Sequence, residues 1–181
     1  MPEKALIMDF GSQYTQLIAR KVRELNVYCE VKPVEALPLE DDGIKGVILS
    51  GSPFSVTDEQ APGFDPARDL PEVPVLGICY GAQCLARSDG GQVEASQKRE
   101  YGRAYLENLD NRSPFLTNVR EDSPVWMSHG DSILSLPADY HVLAKSETGN
   151  IAAFQRDNEP VYGIQFHPEV TAAIARSWCL H

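Results

Sequence analysis

Gly77-Ile78-Cys79-Tyr80-Gly81 sets a cysteine between two glycines, where an apolar run gives way to a helix-forming one. A strand that delivers a side chain to a sharp turn, with a helix starting at once, exposes that side chain as a nucleophile. Glycines two before and two after leave room for the tight turn. Two physical effects follow. The helix N-terminus stabilises a thiolate, and the backbone N–H of Tyr80 points to where an oxyanion would form. The pentapeptide alone also fits a structural cysteine packed between two glycines. A free thiol is only a few per cent ionised near neutrality, so a reactive cysteine needs a basic partner.

Four histidines are available: His129, His141, His167 and His181. His167 lies in Gly163-Ile164-Gln165-Phe166-His167-Pro168-Glu169, whose alternation predicts a strand ending at His167, with Pro168 stopping regular pairing. From that strand end His167 and Glu169 can both face one site, Glu169 holding the imidazole tautomer. His141 and His181 read as structural or exposed. His129, in Ser128-His129-Gly130-Asp131, fits either a second site residue or a loop role. Cys84, inside the helix that Cys79 starts, reads as core packing.

The elements that must position these residues alternate between strand and helix. ALIMDF, residues 5–10, is a short apolar run typical of a buried parallel strand. Ser12 is the expected N-cap of a helix whose apolar face is Tyr14, Leu17, Ile18, Val22 and Leu25. VYCEV, residues 27–31, completes a β-α-β unit and implies a parallel sheet. GVILSG, residues 46–51, and PVLGIC, residues 74–79, are further buried strands, with a surface loop over 52–72 between them. After residue 92 short alternating strands follow: VEAS, RAYLEN, PVWMSH, HVLAKS, IAAFQ and VYGIQF. The expected fold is α/β: an open, mostly parallel central sheet flanked by helices, with a smaller antiparallel sheet. No repeat or linker divides the chain, so residues 1–181 are expected to form a single domain.

Composition narrows the function classes. The 181 residues are 43% apolar and 23% charged, ordinary for a globular domain. The net charge of -10 argues against nucleic acid, which needs clustered Lys and Arg. No apolar run has membrane-spanning length, and the N-terminus lacks a basic stretch followed by an apolar one, so a cytoplasmic location is expected. Cys29, Cys79, Cys84 and Cys179 form no CxxC pair and no zinc-finger spacing, so free thiols and no metal site are expected.

Gly77-Ile78-Cys79-Tyr80-Gly81-Ala82-Gln83 and Gln165-Phe166-His167-Pro168-Glu169, in this order and far apart, resemble the class I glutamine amidotransferases. MDFGSQYTQLIARKVREL at 8–25, ILSGSP at 48–53, REYGRA at 99–104 and WMSHGDSI at 126–133 carry the likeness along nearly the whole chain. These stretches resemble the branch whose amidotransferase domain precedes an ATP pyrophosphatase domain in purine nucleotide biosynthesis. The resemblance implies a flavodoxin-like core and a triad of Cys79, His167 and Glu169. It implies an oxyanion hole from the N–H groups of Tyr80 and of the turn at Gly51 and Ser52. It implies glutamine contacts from Gln83 and from the backbone around Ser128, Gly130 and Asp131. Glutamine would give glutamate and ammonia through a Cys79 thioester, and the ammonia would aminate adenylylated XMP to GMP on the synthetase half. That half is the implied partner, and ATP and magnesium belong to it; this domain is expected to need no cofactor.

Two departures stand out. Ser52 replaces the second glycine of the family's Ser-Gly-Gly-Pro turn, keeping an N–H donor but not glycine's conformational freedom. No Ser-Gly-Gly-x-Asp-Ser ATP loop and no Walker A motif occurs, so the synthetase half is expected outside these residues. A hydrolase of γ-glutamyl peptides would share the triad, whereas a docking module that merely kept the fold would not need it.

Overall fold

The computed structural model describes residues 2–37 and 41–170. Cys179 and His181 lie outside the described residues. Among the described residues nine strands form one sheet in the order β2-β1-β3-β4-β9-β8-β7-β5-β6. They are β1 (Lys4–Asp9), β2 (Cys29–Pro33), β3 (Ile44–Leu49), β4 (Val75–Ile78), β5 (Gln92–Glu107), β6 (Pro124–Ser135), β7 (Tyr140–Ser146), β8 (Ile151–Arg156) and β9 (Val161–Ile164). The first five in spatial order pair in parallel, and the rest pair antiparallel. The sheet is therefore mixed and open. Its antiparallel part runs from β9 through β8 and β7 to a long β5–β6 ribbon, which joins the rest where Leu106 and Glu107 pair with β7.

The parallel half buries both faces, as its unbroken apolar runs require. In β1 the side chains alternate: Ile7 packs with Ile18 and Ala19 of α1 (Thr15–Glu24), while Leu6 and Met8 pack with Ala82, Leu85 and Ala86 of α3 (Tyr80–Ser88). The two helices thus cover opposite faces. α1 begins later than Ser12: its N-cap is Tyr14, and the Ser12 hydroxyl accepts from the Tyr14 N–H within the preceding turn. Its buried residues are Thr15, Ile18 and Ala19, with Leu17 left outside.

Three other expectations change. The loop over 52–72 contains a one-turn helix, α2 (Pro66–Asp69), capped by the Asp65 carboxylate on the Ala67 N–H. VEAS and RAYLEN are one strand, β5, interrupted by an irregular register between Ala95 and Glu100. β9 ends at Ile164 rather than His167. Beyond it the Gln165 N–H donates to the Ala152 carbonyl and the His167 N–H to the Trp126 carbonyl of β6. That second bond ties the end of β9 to the ribbon.

Candidate active site

β4 lies between β3 and β9, with Leu49 opposite Gly77 and Ile164 opposite Ile78. The carboxyl ends of three adjacent parallel strands therefore converge, the usual place for a site in an open α/β sheet. Cys79 leaves β4 there and is the N-cap of α3, with φ 53° and ψ -105°. Such a backbone costs about 1–3 kcal/mol and persists only where surroundings over-determine it. Here the glycines supply that fit. A Cβ on Gly77 would sit 2.6 Å from backbone atoms of Gly81 and Ala82, and one on Gly81 would sit 2.5 Å from the Leu49 carbonyl oxygen. The elbow exists because strand, turn and helix approach closer than any side chain permits.

His167 and Glu169 reach Cys79 from the segment after β9. The imidazole borders the same cavity as Cys79 and is favoured in its protonated form by that side chain. Its Nδ1 lies 2.7 Å from Glu169 Oε1, and both residues are buried. Burial alone would lower the imidazole pKa, but the electrostatic interactions with Cys79 and Glu169 outweigh it and raise it to about 10. The Tyr14 ring meets His167 edge-on at 5.1 Å. A Cβ on Gly51 would meet His167 Cε1 at 3.3 Å, so glycine lets the β3 turn approach the ring.

Two cavities open on the sulfur. One of about 380 Å³ is bordered by Ser52, Tyr80, Gln83, Arg99, Tyr101, Ser128, Gly130 and Asp131 as well as Cys79. The other, about 310 Å³, lies on the His167 side and is bordered by Ser12, Tyr14, Gly51 and Ser52. A larger cavity of about 520 Å³, bounded by Phe64, Arg68, Cys84 and Arg87, does not reach Cys79. All the residues expected at the site therefore gather around one sulfur, with Glu169 behind His167. As the first residue of α3, Tyr80 has an N–H with no partner inside the helix. Ser52 is not among the positive-φ residues, so serine fits its turn without strain.

Other expected residues have defined places. The Ser128 carbonyl accepts from Cys79 Sγ at 3.6 Å, and the Asp131 carbonyl accepts from Gln83 Nε2 at 3.2 Å. His129 is not in a loop: it borders the same cavity as Cys79, with both ring nitrogens bonded within the protein. It lies in β6, buried, with Nε2 2.9 Å from Glu100 Oε2 and Nδ1 2.6 Å from the Asp131 carbonyl. Glu100 Oε1 also accepts from the hydroxyls of Ser146 and Thr148. His141 is half exposed and pairs with Asp157 at 2.5 Å, away from the site. Cys84 is partly buried, its thiol pushed up to about 12 chiefly by desolvation.

Sequence reasoning missed Gln165, whose Nε2 lies 3.6 Å from Cys79 Sγ. It also missed Arg99, Glu100 and Tyr101, which the likeness at REYGRA could have flagged. Among the described residues no group of three or more His, Cys, Asp or Glu side chains is arranged to hold a metal, and no helix is long and apolar enough to cross a membrane.

The family model for glutamine amidotransferase class-I matches residues 6–177, and the chain belongs to that family. Within the family, the chain is 52% identical over 174 residues to the GMP synthase [glutamine-hydrolyzing] of Cytophaga hutchinsonii, covering 96% of this chain and 34% of that protein. It is 55% identical over 170 residues to the protein of the same name from Phocaeicola vulgatus, covering 94% and 33%. The chain thus spans about a third of the length of the curated relatives it matches. Among solved structures, one assigned as a GMP synthase subunit, from Thermoplasma acidophilum, superposes with a TM-score of 0.81 at 28% identity. That match covers 99% of this chain and 93% of the other. A glutamine amidotransferase from Thermotoga maritima shares the fold at TM-score 0.77 and 23% identity, over 98% and 81% of the two chains.

Proposed function

We propose that this domain hydrolyses glutamine at Cys79 and supplies the ammonia to the synthetase part of a GMP synthase, which aminates XMP. The observation that carries the reading is the sulfur, imidazole and carboxylate set at one strand-to-helix elbow, open to a cavity of about 380 Å³. The relatives' names supply the particular synthetase.

In this reading the Cys79 thiolate adds to the side-chain amide carbon of glutamine. The oxyanion is held by the Tyr80 N–H and by the N–H groups of Gly51 and Ser52; losing one such donor typically costs about 10²–10³ in rate. The His167 imidazolium gives its proton to the departing nitrogen, leaving ammonia, a thioester and a neutral ring. The ring then takes a proton from water, hydroxide adds to the thioester, and collapse returns thiolate, imidazolium and glutamic acid, which ionises to glutamate. Glu169 holds Nδ1 so that Nε2 faces the sulfur. Gln83 and the strand around Ser128, Gly130 and Asp131 form the wall against which glutamine lies. This chemistry uses side chains and backbone N–H groups of the protein and calls for no metal or organic cofactor. ATP and magnesium serve the synthetase part, and a cytoplasmic location fits substrates of that kind.

Mixing the chain with its synthetase part and comparing nitrogen sources tests the proposal. Cys79→Ala should abolish GMP formation from glutamine while leaving formation from ammonium salt intact. Normal glutamate release by Cys79→Ala would falsify the mechanism.

A further inference from the structure

We propose that Gln165 is a catalytic hydrogen-bond donor to the Cys79 sulfur, aimed by Gln83 and the Asp131 carbonyl. The role rests on the reading of Cys79 as the nucleophile.

The direction of the amide follows from one fixed acceptor. The Asp131 backbone carbonyl can only accept, so the Gln83 side chain must present its NH₂ group to it, at 3.2 Å. That same nitrogen lies 3.2 Å from Gln165 Oε1. With its oxygen held there, the Gln165 NH₂ group faces Cys79 Sγ at 3.6 Å. Gln165 is 2% exposed and its own N–H is bonded to Ala152, so neither backbone nor side chain has room to turn away. The far end is also anchored. The Asp131 carbonyl takes a second bond from His129, which is braced by Glu100.

Two contacts of equal length pull on the sulfur in opposite senses. The Ser128 carbonyl at 3.6 Å is an acceptor; it satisfies the thiol and repels the thiolate. Gln165 Nε2 at 3.6 Å is a donor, and a donor gains most from an anion. Of these two contacts, removing the amide therefore leaves the one that favours the unreactive form. A neutral thiol is a weak acceptor, so a buried amide placed against it is poorly used until the sulfur ionises. Other titratable or charged groups face this region. They are His167 backed by Glu169, Asp131 and His129 on β6, Glu100 and Arg99 on β5, and Tyr80 on α3. None of them changes in the variants below.

The test reads thiolate directly, without glutamine: the pH dependence of Cys79 alkylation by iodoacetamide, located by peptide mass. Gln165→Met keeps the volume and removes the donor. Its midpoint should rise by about one pH unit, a tenfold slower alkylation below the midpoint. Gln165→Glu places an acceptor there and should raise it further. Gln83→Met should shift the midpoint in the same direction but less, and should add nothing in the Gln165→Met background. An unshifted midpoint in Gln165→Met, with native melting, overturns the proposal. So does an undiminished Gln83→Met effect in the double variant. Should Gln165→Met melt early, Gln165→Asn retains an amide but withdraws it by one methylene, and its midpoint must rise as well. The glutaminase reading fails separately, through glutamate release by Cys79→Ala.

Discussion

Among the described residues there are two buried histidine–carboxylate pairs: His167 with Glu169 at 2.7 Å, and His129 with Glu100 at 2.9 Å. By distance and burial they are near equivalents. They differ in what the second ring nitrogen meets. His129 meets the Asp131 carbonyl, and Glu100 is further bound by two hydroxyls, so every polar atom of that pair is committed within the protein. The His167 ring has no such second acceptor and instead interacts with Cys79 beside a cavity that both residues border. A buried imidazole backed by an acid is therefore not in itself a sign of chemistry. The sign is a ring nitrogen left for a reacting atom.

Exchanging the two rings for asparagine breaks the comparison most directly. His167→Asn should lower glutamine turnover about 10³-fold through loss of proton transfer, while the melting temperature moves little. His129→Asn should do the reverse: turnover per folded molecule stays within a few fold, and stability falls by about 3 kcal/mol because Glu100 loses its buried partner. Equal losses of turnover in both would erase the distinction. Glu169→Gln should fall between, about a hundredfold down in kcat, since its amide oxygen can still accept from Nδ1 while the charge behind the ring is gone.

Acid sharpens the same contrast. Burial alone would raise the Glu100 pKa, but hydrogen bonds from His129, Ser146 and Thr148 outweigh it and lower it from 4.5 to about 2. A carboxylate with a depressed folded-state pKa adds stability that is present above pH 4.5 and is lost as pH falls toward 2. His167 has the opposite sign. Raised from 6.5 to about 10, its protonated form adds stability below pH 6.5 that is lost as pH climbs toward 10. Urea melts across pH should show that Glu100→Gln flattens the acid limb of the wild-type profile and leaves the alkaline limb in place. A flattened alkaline limb in that variant would mean the two pairs are coupled.

How readable these pairs are from sequence follows from chain distance. Cys79 was legible because strand, glycine, cysteine, glycine and helix are consecutive, and the physics of an elbow is local. The buried strands β1, β3 and β4 were legible as apolar runs for the same reason. His167 and Glu169 share one short segment, so their pairing could be read, although the strand before them stops at Ile164. The Glu100–His129 pair depends on the β5–β6 register, which sets those two residues opposite one another. Nothing in REYGRA or WMSHGDSI taken singly gives that register. Gln165 was hidden for another reason. In an alternating strand pattern a polar residue reads as solvent-facing, whereas the chain here has left the strand and turns the amide inward. Ser12 shows the limit of a local rule: its hydroxyl does bond a backbone N–H, but in the turn before the helix.

The smallest expected effect concerns Ser52, which departs from the family's turn and borders the cavities beside Cys79. If the turn after β3 needed glycine's left-handed conformations, Ser52 would strain it and weaken the oxyanion hole. Its φ is not positive, and its hydroxyl accepts from the Phe54 N–H at 3.2 Å, which steadies the turn. Gly51 is the position where a Cβ would crowd the ring, at 3.3 Å from His167 Cε1. Ser52→Gly should therefore leave kcat within about threefold of wild type, the modest scale of adding backbone freedom to an unstrained turn. Gly51→Ala should cost more, because it pushes on the imidazole. The two kcat values measured side by side decide the matter: a tenfold gain from Ser52→Gly would show that the strain lies at residue 52, and that the donor geometry of this turn depends on glycine there.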